Sequence, residues 1–240
     1  MMRIHAFHRL FQRRLSLSTK PFQARGAKVT RCQYCHVAQE HCLCAHQPNL
    51  DSQVAVLLLV SENEVFKPSN TGRLIADTIK ETYVYQWHRT DLEPELLQLL
   101  KDDRYQPCVI FPESYVDDPS RVLTQPQTLL QSNKTPLLIL LDGSWREARR
   151  MFRKSPYLES FPVLSVQPDA VSQYLMRRSD NETHLATAEV AALVLEQLGE
   201  TEAAHTLDLW FAAFRESYLL SKTRLKPDFS KPALARYLAR

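Results

Sequence analysis

The sequence predicts an α/β protein: a mostly parallel sheet with helices on both faces, preceded by a small four-cysteine motif. Strand-like and helix-like segments alternate along most of the 240 residues, the order that parallel units with helical crossovers require. The strand-like segments are continuous apolar runs, as expected of strands covered on both faces. Glycine narrows the class further. The chain has four, Gly26, Gly72, Gly143 and Gly199, too few and too scattered for a GxGxxG or Walker-type phosphate loop. Neither a dinucleotide-binding Rossmann site nor a Walker site is expected.

The elements follow in order. Val54–Val60 reads as a buried strand. Asn70–Lys80 reads as a helix that Asn70 can cap. Thr82–Trp87 is strand-like, and Pro94–Lys101 is helical with Leu96, Leu97, Leu99 and Leu100. Cys108–Phe111 is a strand ended by Pro112, and Cys108 is expected to be a core thiol. Residues 121–132 read as helical. Leu137–Leu141 is an apolar strand ending at Asp142, followed by a helix from Trp145 to Lys154. Val163–Val166 is a short last strand, and Thr187–Leu198 and Thr201–Leu220 are closing helices. In such sheets the ligand sits beyond the carboxyl ends of the strands.

The composition, 44% hydrophobic and 24% charged, fits a domain with a real core. No apolar run approaches the roughly 20 residues of a membrane-spanning helix. With no apolar leader segment, secretion is not expected and the cytoplasm is. Charge is uneven although the net is only +3. Residues 1–40 hold eight Lys/Arg and one acid, and residues 221–240 hold six and one. That leaves 16 of the 30 Lys/Arg against 25 of the 27 acids for residues 41–220. Positive ends on an acidic body suggest contact with a polyanion, or else two solvated tails. The Arg-rich start reads as a basic arm or as an organelle transit segment. The expected organisation is a basic arm over 1–31, a knuckle over 32–47, the α/β domain over 48–220 and a basic tail over 221–240.

Cys32, Cys35, Cys42 and Cys44 fall within thirteen residues. Two close pairs can present four sulfurs to one tetrahedral zinc, with His36, His41 and His46 near enough to replace a ligand. Two disulfides or a redox CxxC are the alternatives. Four protein ligands would close the site, so its expected role is structural.

Asp142 ends a buried strand, Gly143 makes the turn, and Ser144 with Glu147 fits a capping box at the next helix start. An acid there is placed to take a proton, or is simply a turn acid. Trp145, Ala148 and Phe152 can pack inward, while Arg146, Arg149, Arg150 and Arg153 form an outer face that grips phosphates or is merely solvated. Asn70-Thr71-Gly72-Arg73 opens a helix and can meet an anionic group. Phe111-Pro112-Glu113 ends a strand, and Leu185-Ala186-Thr187-Ala188-Glu189 starts a late helix.

In this order, CxxC…CxC, NTGR, FPE, DGSW and LATxE resemble the DTW-domain tRNA-uridine aminocarboxypropyltransferases of bacterial type, from about Cys32 to about Leu198. The family signature reads Asp-x-Thr-Trp, and Ser144 stands where threonine is usual. The resemblance implies a SPOUT-like fold with a knotted C-terminal cofactor site, S-adenosylmethionine as donor and a uridine of the tRNA variable loop as acceptor. Asp142 is then the candidate general base. The donor pocket would be lined by Asn70, Thr71, Gly72, Arg73, Phe111, Pro112, Gly143, Ser144, Trp145, Leu185, Thr187 and Glu189, with the Arg146–Arg153 face toward the tRNA. The readings left beside it are a SPOUT-type RNA methyltransferase and a non-enzymatic zinc-knuckle tRNA-binding protein.

Overall fold

The computed structural model describes residues 2–19, 29–166, 185–221 and 228–240. Six strands form one sheet: β1 (Ala55–Val60), β2 (Thr82–Gln86), β3 (Tyr105–Ile110), β4 (Val122–Leu123), β5 (Thr135–Asp142) and β6 (Val163–Leu164). Their order is β2-β1-β5-β3-β6-β4, and every pairing is parallel. The α/β, mostly parallel expectation is met. β5 lies between β1 and β3, and its last residue, Asp142, is in register with Val60 at the end of β1.

Seven α-helices accompany the sheet in the described residues: α1 (Ala6–Ser16), α2 (Gly72–Thr78), α3 (Pro94–Lys101), α4 (Trp145–Arg153), α5 (Thr187–Gln197), α6 (Thr201–Leu220) and α7 (Pro232–Leu238). Strand side chains alternate between two apolar cores. Val56, Leu58, Val60, Leu138 and Leu140 face one core, filled by α1, α2, α5, α6 and α7. Leu57, Leu59, Leu137, Ile139 and Leu141 face the other, filled by α3 and α4. Because both faces are covered, the strands read as unbroken apolar runs. Cys108 is fully buried in the first core, as expected.

Three segments differ from expectation. Residues 121–132 form no α-helix: β4 and a 3-10 turn at Pro126–Leu130 stand there. Pro119 and Pro126, which supply no backbone N–H, punctuate the stretch. Within the expected basic arm, Ala6–Ser16 form a docked helix, because α1 buries Phe7 and Leu10 against the first core. Two of its cations meet the chain's own acids: Arg13 binds Glu93 through two 2.6 Å contacts, and Arg14 binds Glu62 at 3.2 Å. The expected basic tail contains α7, whose Tyr237 is buried and donates to the His46 carbonyl at 2.8 Å. The C-terminal knot expected from the resemblance concerns a part of the chain that includes residues 167–184, which lie outside the described residues.

Candidate active site and cysteine clip

Asp142 is the meeting point of three distant segments. It is 2% exposed at the carboxyl end of the central strand. Its Oδ2 accepts from Asn70 Nδ2 at 2.6 Å, and its Oδ1 accepts from Thr187 Oγ1 at 2.7 Å. Asn70 precedes α2, and Thr187 is the first residue of α5. Each carboxylate oxygen thus receives a donor, which fixes the group's orientation. Asn70 is fully buried, and its Oδ1 accepts from the Arg73 backbone N–H at 2.9 Å, as a helix cap does. Gly72 packs its Cα against the same carboxylate: a Cβ there would lie 2.6 Å from Asp142 Oδ2. Thr71 Oγ1 accepts from the Ala188 N–H at 3.4 Å, joining the two helix starts.

Gly143 turns the chain beside Ser61, and Ser144 with Glu147 closes the expected capping box. The Ser144 N–H donates to Glu147 Oε2 at 2.8 Å, and Ser144 Oγ accepts from the Glu147 N–H at 3.4 Å. Burial pushes the Glu147 carboxyl up, but the bonds from Ser144 and from Asn63 outweigh it and hold the group at about 2. Thr187 does not cap its helix. Glu189 accepts from the Ala186 N–H at 2.7 Å and does so instead.

Phe111, directly after β3, is stacked against Trp145 (5.6 Å between ring centres) and Phe152 (4.3 Å). Tyr115 meets Trp145 edge-on at 5.6 Å. Pro112 follows Phe111 and is half-buried, as is Leu185 before α5. Arg146, Arg149 and Arg153 line, with Tyr115, a hollow of about 150 Å³. Arg149 lies over the Tyr115 ring, and Arg150 over Trp87. Among the described residues no carboxylate comes within ion-pair distance of Arg146, Arg149, Arg150 or Arg153.

Arg73 is corrected. It is 1% exposed, and its Nη2 donates to the Cys35 carbonyl at 2.7 Å while its guanidinium lies over the Phe214 ring. It faces the cysteine clip and offers no exposed cation to an anionic ligand.

The clip assembles as expected. The sulfurs of Cys32 and Cys44 lie 3.5 Å apart, those of Cys35 and Cys42 3.8 Å apart, and all four fall within 4.8 Å of one another. Zinc–sulfur bonds of about 2.3 Å give a tetrahedron with edges of about 3.8 Å, so the four thiols are spaced for one ion. All are free thiols rather than disulfides. Three histidines near the clip do not join: His36 packs edge-on against Phe11, His41 pairs with Glu40, and the His46 carbonyl binds Tyr237. The tight turn is made by His36, whose φ of 59° is rare outside glycine. The sulfurs share protons unequally. A hydrogen bond with Cys44 holds the Cys35 thiol well below its ordinary value, and burial pushes Cys42 above it.

Sequence reasoning missed Ser61 and Glu64. Ser61 Oγ is buried beside Gly143 with no hydrogen-bond partner among the described residues, and the Ser61 N–H donates to the Asp142 carbonyl at 2.8 Å. Glu64 Oε1 accepts from Asn70 Nδ2 at 3.3 Å. The signal was available: Ser61 follows directly on the first apolar strand and Glu64 comes three residues later, and the carboxyl end of that strand marks the site.

A family model described as the DTW domain matches residues 29–219. The chain belongs to the DTW-domain family. Over 95 residues this DTW protein is 32% identical to a Drosophila melanogaster protein named tRNA-uridine aminocarboxypropyltransferase 2. The match covers 34% of this chain and 38% of that relative, well under half its length. No solved structure matches the chain. No helix among the described residues is long and apolar enough to cross a membrane.

Proposed function

We propose that this protein is a tRNA-modifying enzyme that transfers the 3-amino-3-carboxypropyl group of S-adenosylmethionine to N3 of a uridine in the tRNA variable loop. The observation that carries the reading is the convergence of Asn70 and Thr187 on Asp142 at the carboxyl end of the central strand. Membership of the DTW-domain family and the name of the fly relative support it.

N3 of uridine is a weakly acidic imide and must lose its proton to attack. Asp142 takes that proton. N3 then bonds to the carbon beside the sulfonium at the aminocarboxypropyl end. The carbon–sulfur bond breaks with its electron pair going to sulfur, and 5′-methylthioadenosine leaves. The site must aim that carbon, and not the methyl group, at N3. Asn70, Thr71 and Gly72, Gly143 to Trp145, Phe111 with Pro112, and Leu185, Thr187 and Glu189 surround the donor in this reading, and the idle Ser61 hydroxyl is available to it. Because N3 is used in pairing, the uridine must be unpaired. Arg146, Arg149, Arg150 and Arg153 hold phosphates of the tRNA, since cations on one helix that meet no described carboxylate attract a polyanion. Cys32, Cys35, Cys42 and Cys44 hold a structural zinc, which organises the fold and takes no part in transfer.

The test is incubation with S-adenosylmethionine and unmodified tRNA, with nucleosides and spent donor read by mass spectrometry. Aminocarboxypropyluridine with methylthioadenosine is expected, and Asp142→Asn should lower the rate by about 100-fold or more. A methylated base with S-adenosylhomocysteine would replace the reaction with methyl transfer. Bound tRNA without product would leave a binding protein. A near-wild-type rate for Asp142→Asn would remove the base.

A further inference from the structure

Arg73 is a buried cation with too few partners. Its Nη2 has one neutral acceptor, the Cys35 carbonyl at 2.7 Å, and its Nε and Nη1 are buried with none. No described carboxylate pairs with it within 4 Å. Asp77, one helical turn further along α2, has its oxygens taken by His5 (2.9 Å), Gln47 (2.7 Å) and Trp210 (3.0 Å). The Phe214 ring, 5.0 Å from the guanidinium carbon, covers one face. A guanidinium enclosed in this way is costly unless a negative charge answers it, because desolvation removes the water that would otherwise do so. Asp77 is the strongest charge acting on it, although no ion pair joins the two, and the sulfurs of Cys35, Cys44 and Cys32 come next. Four thiolates on a divalent ion carry a formal charge of about −2.

We propose that Arg73 is the counter-cation of a four-thiolate metal centre, with its two idle N–H-bearing nitrogens available to the sulfurs and its Nη2 fixing the Cys35 backbone. This inference rests on the zinc reading of the clip. It explains why an arginine, rather than an apolar residue of similar length, occupies a fully enclosed position between α2 and α6. It also gives the clip an outer layer of support, which orients metal ligands and raises the affinity of the site.

The experiment uses the full chain. Zinc content of the purified wild type is measured first, by elemental mass spectrometry. Zinc release to a colorimetric chelator is then timed for wild type, Arg73→Met and Arg73→Lys, with far-ultraviolet circular dichroism checking that each is folded. One zinc per wild-type chain is expected. Arg73→Met, similar in length but neutral, should release it 10–100-fold faster, the usual range for loss of a group supporting metal ligands. Arg73→Lys restores the charge and should recover most of that retention. Should Arg73→Met not fold, Arg73→Gln, neutral and polar, takes its place under the same criterion. A wild type without zinc would sink the metal reading and this inference with it. Zinc bound normally, with the neutral and charged variants releasing it alike, would overturn the inference alone and leave Arg73 as packing.

Discussion

Gly72 shows how closely the backbone approaches the candidate catalytic carboxylate. Helix propensity alone favours alanine over glycine in a helix by about 1 kcal/mol. Against that, a Cβ at this position would lie 2.6 Å from Asp142 Oδ2. To make room the carboxylate must leave Asn70 and Thr187, and hydrogen bonds to a charged group contribute about 1.5–3 kcal/mol each. The clash wins. Gly72→Ala is expected to lower both the melting temperature and the affinity for S-adenosylmethionine measured by titration calorimetry; a stabilised protein with wild-type affinity would show that Asp142 moves freely. Reading the sequence finds Gly72 and Asp142 as separate features of a helix start and a strand end. Their contact spans 70 positions, and only the sheet order brings them together. Arg73 marks the opposite limit. Its charge and its place in a helix start suggest an anion grip, but whether a cation faces solvent or a neighbouring thiol cluster depends on packing that no local pattern records.

At the scale of the element, α4 was legible in detail because its signals are local. Ser144 and Glu147 are three residues apart, and the capping box they announce is present. The helix carries a pH-dependent term through Glu147. Its carboxyl is held at about 2, below the ordinary 4.5. A depressed carboxyl stabilises the fold fully above its unfolded value, and that contribution is lost as pH falls from about 4.5 through about 2. Glu147→Gln cannot ionise. Wild type should therefore lose more stability than Glu147→Gln between pH 5 and pH 2, seen as converging denaturation midpoints. Parallel pH profiles for the two proteins would show that the cap contributes nothing through its charge. The other end of the range is the stretch from 121 to 132. Its apolar residues suggest a helix, but Pro119 and Pro126 and the pairing of Val122 and Leu123 with β6 decide the outcome. A two-residue edge strand is too short to leave a periodic trace.

At the scale of the molecule, both basic ends return to the body. Their charge was legible, but their docking was not. The spacing of Phe7, Leu10 and Phe11 on α1 holds the missed clue, an apolar stripe at helical period. Phe7 and Leu10 are 1% and 4% exposed. Arg3 Nη2 donates to the carbonyls of Ala76 at 2.7 Å and Asp77 at 3.0 Å, and His5 binds the buried Asp77 carboxylate. Burial pushes the His8 ring down to about 3, so this junction is built around neutral imidazole. Burying two such apolar side chains contributes about 3–6 kcal/mol, a large part of the 5–15 kcal/mol that holds a typical domain. Deleting residues 1–19 should therefore lower the melting temperature by about 6–24 °C, at roughly 2–4 °C per kcal/mol for a chain of this size. It should also leave Asp77 without its histidine. An arm that served only to contact RNA would behave differently: its removal would weaken salt-sensitive tRNA affinity and leave the melting temperature where it was. Differential scanning calorimetry beside a tRNA titration separates the two, because docking predicts loss of stability even in the absence of tRNA, whereas a free arm predicts loss of affinity alone.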